Sequence, residues 1–278
     1  MKIVHTIEDL RTELLIWRQA GETIGLVPTM GALHDGHMSL VSLSREKTQR
    51  TCVTLFINPK QFGENEDFNT YPRNKKDDAK KLKSAGVDIL FQPDSRVMYP
   101  QNFSTSVSVK GLGDVLEGQA RPGFFIGVAT VVTKLLIQSL PNIAFFGEKD
   151  FQQLLVIKRL TRDLNIPVEI EAGPIIREND GLALSSRNTY LSPNERIIAP
   201  ILYGTISQIA EQVSRGAALS DQVNWGRSQL LQAGFTFVDY LSIRETETFS
   251  EAKDISRPAR VLVAAFLGKT RLIDNVLI

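Results

Sequence analysis

The chain has 278 residues, of which 42% are hydrophobic and 23% are charged, close to the usage of ordinary globular proteins. This length allows one large α/β domain and a smaller companion without disulfides or metals to hold them together, and the composition excludes a disordered or fibrous chain. Because 32 Lys and Arg residues nearly balance 31 Asp and Glu residues, no overall field favours nucleic acid or an anionic membrane, and any anion must be bound locally.

Short apolar segments alternate with longer amphipathic ones from residue 22 to about residue 172, the rhythm of βαβ units around a parallel sheet. The predicted strands of this region are Thr23–Val27, Thr51–Ile57, Val87–Phe91, Asn142–Phe146 and Pro167–Glu171. The predicted helices are His37–Gln49, Asn74–Ala85, Gly127–Leu140 and Phe151–Leu164. We expect a doubly wound, Rossmann-like α/β sheet that binds its ligands beyond the carboxyl ends of the strands.

The pattern changes after residue 180, where Ser192-Pro193-Asn194-Glu195 combines a capping box with proline at the first helical position. A helix is predicted from there to about Ser214, and a second helix over Ser220–Ala233. The strands predicted after them lie near Phe235–Arg244, Arg260–Leu267 and Leu272–Val276. We therefore predict a nucleotide-binding domain over residues 1–176 and a smaller α+β domain over residues 177–278.

The single cysteine, Cys52, excludes an intramolecular disulfide and lies in an apolar run, as a reduced core thiol does. The N-terminus carries acidic residues within its first ten positions, and no apolar run approaches the roughly 20 residues that a membrane span needs. We expect a cytoplasmic protein that binds neither a membrane nor nucleic acid.

The segment Pro28–His37, PTMGALHDGH, directly follows the first predicted strand and opens a helix. A helix N-terminus offers N–H groups and partial positive charge to phosphate oxygens, and Gly31 and Gly36 let a ligand come close. Because His34 and His37 are three residues apart, both rings can lie on one side of the first turn and donate hydrogen bonds to a triphosphate. A surface loop and a zinc pair are the alternatives, and the chain has no Cys/His cluster with zinc-site spacing.

This segment resembles the HxGH signature of a nucleotidyltransferase superfamily, and the longer string resembles the pantothenate synthetases in particular. Further blocks that match this family keep their order along the chain: FINPKQFG (56–63), YPR (71–73), RPG (121–123), FGEKD (146–150) and DGLALSSRN (180–188). The resemblance covers roughly residues 28–191. It implies an enzyme that uses ATP and Mg²⁺ to adenylate pantoate, passes the pantoyl group to β-alanine, and forms a homodimer through its N-terminal domain.

The resemblance also implies roles for individual residues. Those implied to contact ATP are Met30, Gly31, Ala32, Leu33, His34, Asp35, Gly36, His37, Gly147, Glu148, Lys149, Asp150, Ile176, Leu184, Ser185, Ser186 and Arg187. His34, His37 and Lys149 are the implied catalytic residues, since they would stabilise charge on the phosphates. Gln61 is implied to touch pantoate and β-alanine, and Gln153 to touch pantoate. No residue is assigned to a metal.

Without the resemblance, several of these positions have ordinary structural interpretations. Asp150 can be a helix cap with Lys149 in solvent, Ser185–Arg187 can be plain loop, and Gln61 can be a solvated loop glutamine. Asn58 is either a second polar contact or a turn former before proline. These alternatives stay open until the local geometry is known.

Two positions depart from the family pattern. Phe124 stands where the family usually has histidine, which removes a polar group from any ligand contact there, and Leu184 replaces a methionine while keeping its apolar volume. Asp77 and Asp78 lie close enough in sequence to approach a metal, but their helix is expected first to present a solvated charged face.

Two other functions remain open. A superfamily member that transfers AMP or CMP to a phosphate would share the HxGH segment but not the Gln61 and Gln153 pair. A nucleotide-sensing or scaffold protein would use the fold without turnover. For the ligase, a reactive adenylate must be shielded from water, so we expect the C-terminal domain to close over the site.

Overall fold

The structure, a computed structural model, describes residues 1–64 and 66–278 of the chain. It divides into two compact units. The N-terminal unit consists of Met1–Glu148 and Gln152–Pro174, and the C-terminal unit consists of Lys149–Phe151 and Ile175–Ile278. Each unit has a hydrophobic core of its own.

The N-terminal unit is built on a parallel sheet. Its strands are β1 (Lys2–Val4), β2 (Ile24–Thr29), β3 (Arg50–Leu55), β4 (Ile89–Phe91), β5 (Ile143–Gly147) and β6 (Glu169–Gly173). They pair in the order β1-β4-β3-β2-β5-β6. From β2 the chain adds strands first on one side and then on the other, so the topological switch point lies between β2 and β5. The predicted doubly wound α/β class is confirmed, whereas β1 was missed.

Helices connect these strands. They are α1 (Ile7–Gln19), α2 (Asp35–Lys47), α3 (Lys75–Ser84), α4 (Ser95–Met98), α5 (Glu117–Ala120), α6 (Phe124–Ser139) and α7 (Phe151–Asp163), with 3-10 turns at Pro59–Gln61 and Glu148–Asp150. The unpredicted α1 is capped by Thr6, whose side chain accepts a hydrogen bond from the backbone N–H of Asp9 at 3.1 Å. Most of α6 is buried, in keeping with its largely apolar sequence.

The core of the N-terminal unit lies between its sheet and its helices. Val27, Val53 and Leu90, from the neighbouring strands β2, β3 and β4, pack with Val41 of α2 and Leu82 of α3. All are buried, because a parallel sheet is covered on both faces.

Cys52 of β3 is a free thiol buried in the sheet, as its apolar neighbours in sequence predict. Burial raises the pKa of this thiol to about 12, so it stays protonated and unreactive at neutral pH.

The C-terminal unit combines three helices with a small sheet. Its elements are α8 (Pro193–Ile198), α9 (Ile201–Ser214), α10 (Leu219–Ala233), β7 (Phe237–Glu245), β8 (Ala259–Leu267) and β9 (Thr270–Leu277). The strands form an antiparallel sheet in the order β7-β8-β9. The capping box of Ser192 and Glu195 is present as predicted. The single helix predicted from there to Ser214 is wrong, because Pro200 supplies no backbone N–H and the chain starts a second helix after it.

None of the helices among the described residues has the length and apolar character that crossing a membrane requires.

Candidate active site

The predicted ligand-binding segments leave the sheet at the carboxyl ends of neighbouring strands. Thr29 at the end of β2 is paired with Leu55 at the end of β3, and the backbone N–H of Phe56 donates to the Thr29 carbonyl at 3.0 Å. Residues 30–37 and residues 56–63 therefore start at the same edge of the sheet. This is the edge at which doubly wound proteins bind ligands, next to the switch point between β2 and β5.

The turn after β2 has an unusual backbone. Gly31 has φ 90° and Ala32 has φ 52°, and a positive φ is strained for alanine. The Thr29 hydroxyl donates to the Thr54 carbonyl at 2.8 Å and accepts from the Gly31 N–H at 3.3 Å. Through the Thr29 hydroxyl, the first residues of the turn are therefore hydrogen-bonded to β3.

Asp78, from α3, holds the other side of the same turn. Its Oδ2 accepts from the Ala32 N–H and its Oδ1 from the Leu33 N–H, each at 2.9 Å, and the side chain is only 1% exposed. Lys81, one turn further along α3, donates to the Leu33 carbonyl at 2.6 Å. The expected solvated face is therefore wrong for Asp78 and holds for Asp77, which is exposed. Both Asp78 oxygens are committed to backbone N–H groups, so this carboxylate supports the turn.

The two histidines lie together, as their spacing predicts, with ring centroids 4.1 Å apart. The structure also shows a capping role that the sequence did not reveal. His34 is the N-cap of α2, where its Nδ1 accepts from the Gly36 N–H at 3.2 Å, and His37 Nδ1 accepts from the His34 N–H at 3.4 Å. Because Nδ1 acts as acceptor in both rings, the proton of each neutral ring lies on Nε2, which can donate to a phosphate oxygen.

Gln61 ends the 3-10 turn Pro59–Gln61 and is half-buried. Its Nε2 lies 2.9 Å from the Sδ of Met30, so the two segments that leave β2 and β3 meet through these side chains. Asn58, predicted as a contact or a turn former, is 1% exposed and caps the turn by accepting from the Lys60 N–H at 3.3 Å. Asn58 is therefore part of the supporting structure around Gln61.

Arg121 of the RPG block organises the loop between α5 and α6. Its guanidinium binds both Glu66 carboxylate oxygens, at 2.6 and 2.5 Å, and Glu117 at 3.1 Å, and it donates to the Gln61 carbonyl at 3.2 Å. The Phe124 ring, which replaces the usual histidine, lies with its centroid 3.8 Å from the Arg121 guanidinium carbon. Phenylalanine thus serves here as a cation–π partner of Arg121.

Gln152 and Gln153 are adjacent in α7 but differ in surroundings. Gln152 is 5% exposed, donates to the carbonyls of Leu112 and Val115 at 2.6 and 2.8 Å, and accepts from the Glu117 N–H at 3.2 Å. Gln153, the residue predicted to touch pantoate, is partly exposed. Gln152 therefore stabilises the segment of residues 112–117. Of the two glutamines, Gln153 is the one whose side chain reaches solvent.

Lys149 follows β5 in sequence but belongs to the C-terminal unit. Its backbone carbonyl accepts from Asn275 Nδ2 at 3.1 Å, and Asn275 Oδ1 accepts from Arg260 at 2.6 Å. The Arg260 guanidinium carbon in turn lies 4.3 Å from the centroid of the Phe151 ring. These contacts of β8 and β9 with residues 149–151 come from distant parts of the chain, so no local sequence pattern reveals them.

Ile176 and Leu184–Arg187, also predicted to contact ATP, lie on or directly after a short hairpin of the C-terminal unit. Its arms are joined by an isolated bridge between Arg177 and Ala183, and the Leu184 N–H donates to the Ile176 carbonyl at 3.0 Å. Ser185 then caps a 3-10 turn, Ser186–Tyr190, by accepting from the Arg187 N–H at 3.3 Å. Ser185–Arg187 is therefore ordered by its own capping bonds and is partly exposed.

Arg177 anchors this hairpin to β9. Its guanidinium makes a forked ion pair with Asp274, at 2.5 and 2.9 Å, and lies 3.8 Å from the centroid of the Tyr203 ring. Burial raises the pKa of Asp274, and Arg177 acts in the opposite direction.

The predicted site residues are divided between the two units. Met30–His37, Gln61, Gly147, Glu148 and Gln153 lie in the N-terminal unit, whereas Lys149, Asp150, Ile176 and Leu184–Arg187 lie in the C-terminal unit. Among residues 1–64 and 66–278 there is no group of three or more His, Cys, Asp or Glu side chains that could hold a metal ion.

A doubly wound parallel sheet with paired HxGH imidazoles at the carboxyl end of a central strand defines an α/β protein of the HxGH nucleotidyltransferase class. The family model described as pantoate-beta-alanine ligase matches residues 2–277. The chain therefore belongs to the pantoate–β-alanine ligase family.

Individual relatives and solved structures agree with this assignment. A pantothenate synthetase of Paramagnetospirillum magneticum is 53% identical over 274 residues, which cover 99% of this chain and 96% of the relative. The crystal structure of a pantothenate synthetase from Thermus thermophilus has a TM-score of 0.94 and 44% identity, with 99% of each chain covered. A pantoate–β-alanine ligase of Francisella tularensis, described as complexed with β-γ ATP and β-alanine, has a TM-score of 0.83 and 34% identity, covering 100% of this chain and 97% of that one.

Proposed function

We propose that this chain is an ATP-dependent ligase that condenses pantoate with β-alanine to give pantothenate, AMP and diphosphate. The observation that carries the proposal is the match to the ligase family over residues 2–277. The Francisella tularensis relative, 34% identical, is described with an ATP compound and β-alanine bound, which are two of the three substrates proposed here.

A carboxylate must be activated before an amine can displace its oxygen, since oxide is a very poor leaving group. In the first step, a carboxylate oxygen of pantoate attacks the α-phosphorus of ATP, the bond to the β-phosphate bridging oxygen breaks, and diphosphate leaves. In the second step, the amine of β-alanine attacks the acyl carbon, loses a proton, and AMP leaves with the oxygen that came from pantoate. Both steps depend chiefly on positioning and on stabilising charge.

We assign the charge-stabilising role in the first step to His34, His37 and Lys149. The capping bonds described above keep the protons of the neutral imidazoles on Nε2, the atom that would donate to the phosphates. The Lys149 ammonium would add positive charge as diphosphate departs. Asp78 supports this arrangement by holding the turn that precedes His34.

The other ATP contacts are proposed from the family resemblance together with local geometry. Met30–Gly36 would line the nucleotide at the N-terminus of α2, where backbone N–H groups suit phosphate oxygens. Gly147, Glu148 and Asp150 would contact the nucleotide beyond β5, with Asp150 accepting from ribose hydroxyls, and Ile176 would contact adenine through its backbone. Leu184–Arg187 would add two hydroxyls and a guanidinium for phosphate.

Pantoate is proposed to lie against Gln61 and Gln153, with β-alanine entering next to Gln61. Gln61 touches Met30, the residue that begins the nucleotide-binding segment after β2. A ligand held by the Gln61 amide would therefore lie beside the proposed ATP site. Attack of the pantoate carboxylate on the α-phosphorus of ATP requires that the two substrates lie side by side in this way.

Mg²⁺ is proposed to arrive with ATP as part of the substrate. No described group of three acidic, histidine or cysteine side chains could hold it, and both oxygens of Asp78 are committed to backbone N–H groups. The phosphate oxygens themselves would provide its ligands, and the ion would lower the charge repulsion between them.

A homodimer and a cytoplasmic location complete the proposal. The homodimer is expected from the family resemblance and is supported by two exposed isoleucines of α6, Ile126 and Ile137, which are 45% and 49% exposed. They are eleven residues apart, about three helical turns, and so share one face. Exposed apolar side chains on one helix face suit a subunit contact.

Product analysis tests the proposed function directly. The chain is incubated with ATP, Mg²⁺, pantoate and β-alanine, and we expect pantothenate, AMP and diphosphate in equal amounts. Transfer of AMP to a phosphate acceptor without pantoate would favour another HxGH nucleotidyltransferase. Binding of ATP without any turnover would favour a nucleotide sensor.

A further inference from the structure

Asn58 lies at the centre of a buried hydrogen-bond group beside Gln61. Its Oδ1 accepts from the Tyr99 hydroxyl at 2.7 Å and from the Lys60 backbone N–H at 3.3 Å. Its Nδ2 donates to the Gly127 backbone carbonyl and to Gln61 Oε1, both at 3.1 Å. Every polar atom of the Asn58 side chain is therefore used inside the protein.

Two of the partners of Asn58 are backbone groups, each of which can act only as a donor or only as an acceptor of a hydrogen bond. A backbone N–H can only donate and a backbone carbonyl can only accept, so Lys60 requires an oxygen and Gly127 requires an N–H2 group. If the Asn58 amide were flipped, its N–H2 group would face the Lys60 N–H and its oxygen would face the Gly127 carbonyl. The main chain therefore sets the direction of Asn58.

The direction of Asn58 then sets that of Gln61. Because Asn58 Nδ2 must donate, the atom of Gln61 that faces it must be Oε1. The Gln61 N–H2 group points the other way, with Nε2 2.9 Å from the Met30 Sδ. A thioether is a weak acceptor, so a substrate oxygen can replace it.

Accordingly, we propose that Asn58 and Tyr99 are positioning residues that make Gln61 present its N–H2 group, not its oxygen, to an oxygen atom of pantoate. The inference rests on the proposed function and specifies which end of Gln61 acts. The Gln61 Oε1 already accepts from Asn58, so the N–H2 group is the end of the side chain that is directed toward a ligand.

Tyr99 completes the group because it is a dependable donor. It packs among aromatic rings, with centroids 6.1 Å from Phe56 and 5.1 Å from Phe103. Burial raises the pKa of Tyr99 to about 12, so the hydroxyl keeps its proton in any ordinary assay. Tyr99 therefore donates to Asn58 Oδ1 and strengthens the direction that Lys60 already imposes.

Exchange of the Gln61 amide for a carboxylate tests which end of the side chain acts. Gln61→Glu keeps the shape but replaces N–H2 with oxygen, whereas Gln61→Ala removes both ends. We expect calorimetry to show pantoate binding weakened by about tenfold or more in both variants, with Gln61→Glu at least as severe. Gln232→Glu, at an exposed position of α10, is the matched control. Pantoate binding to Gln61→Glu at nearly the unsubstituted affinity would overturn the proposal.

A double-mutant cycle tests whether Asn58 acts through Gln61. Asn58→Asp replaces the Nδ2 donor with an acceptor, and we expect it to raise the KM for pantoate about tenfold while the KM for ATP changes little. Added to Gln61→Ala, it should cause no further loss, because the residue that it orients is gone. If the effects of the two substitutions on the KM for pantoate instead multiply in the double variant, the inference is wrong.

Two further variants separate orientation from folding. Tyr99→Phe keeps the ring and should raise the KM for pantoate by a smaller factor than Asn58→Asp, with an unchanged melting temperature. Asn194→Asp, exposed in α8, adds the same charge elsewhere and should leave both KM values unchanged. Tyr99→Phe with unsubstituted kinetics would remove Tyr99 from the proposal. Failure of the unsubstituted protein to bind pantoate at all would instead overturn the proposed function.

Discussion

Asp78 accepts a hydrogen bond from the backbone N–H of Ala32 at 2.9 Å, where the chain takes a positive φ of 52°. The same carboxylate accepts from the next N–H, that of Leu33, also at 2.9 Å. A side chain 46 residues further along the chain thus holds the strained turn that leads to His34. The conformation of the HxGH segment therefore depends on α3 as well as on its own sequence.

We predict that Asp78→Asn loosens this turn. Asparagine has one oxygen where two N–H groups need acceptors, so one N–H would face an amide N–H2. The variant should lose about 1–3 kcal/mol in the free energy of unfolding and bind ATP less tightly. Chemical denaturation and ATP calorimetry check both effects. Asp77→Asn, at the exposed neighbouring position, is the control, and an equal loss of ATP affinity there would instead favour a metal-binding role for this pair.

Several elements could be predicted from sequence because their signals are local. The alternation of apolar and amphipathic segments located β2 to β6, and Ser192 with Glu195 located the start of α8. In contrast, β1 is a three-residue edge strand, too short to show a pattern. The break at Pro200 was missed because the apolar periodicity continues across it.

The site was less predictable, because its support comes from distant parts of the chain. Tyr99 reaches Asn58 across 41 residues, and Asn275 reaches the Lys149 carbonyl across 126 residues. No local motif signals either contact. A motif can therefore indicate which residues meet a ligand, whereas the residues that orient them become visible only in the folded chain.

We predict that His34→Ala and Lys149→Ala damage adenylation far more than transfer. Both residues are proposed to stabilise phosphate charge, which develops as diphosphate leaves, so each loss should be roughly 100-fold or more in the first step. Single-turnover formation of pantoyl adenylate is compared with β-alanine transfer from supplied adenylate. His5→Ala and Lys158→Ala, both at exposed positions, are matched controls. Equal damage to the two steps would contradict the assigned roles.

Gly127→Ala should disturb the site through packing. A Cβ at this position of α6 would lie 2.0 Å from the Lys60 carbonyl oxygen and 2.8 Å from the Gln61 backbone nitrogen. Because both are backbone atoms, the 3-10 turn Pro59–Gln61 must move, and we expect a loss of about 1–3 kcal/mol in the free energy of unfolding with weaker pantoate binding. Gly204→Ala in α9, where nothing lies within 4 Å, should be neutral or stabilising. Unchanged pantoate affinity in Gly127→Ala would show that the turn tolerates the shift.

The assembly prediction is a homodimer with twice the 31.0 kDa chain mass. Analytical ultracentrifugation over a range of concentrations measures this mass. Ile126→Glu should shift the equilibrium toward monomer, since it places a charge in the proposed apolar subunit contact. Ile197→Glu is the control and should not change the equilibrium, since Ile197 is 77% exposed on α8. A monomer mass at every concentration would contradict the homodimer.

An oxygen label tests most directly whether this chain joins a carboxylate oxygen of pantoate to the α-phosphorus of ATP. Pantoate labelled with oxygen-18 in its carboxylate is converted completely with ATP and β-alanine, and the AMP is examined by mass spectrometry. We predict one labelled oxygen in each AMP, because the oxygen that attacks phosphorus leaves with AMP when the amine attacks the acyl carbon. AMP without label, formed together with pantothenate, would contradict carboxyl adenylation and with it the roles proposed for His34, His37 and Lys149.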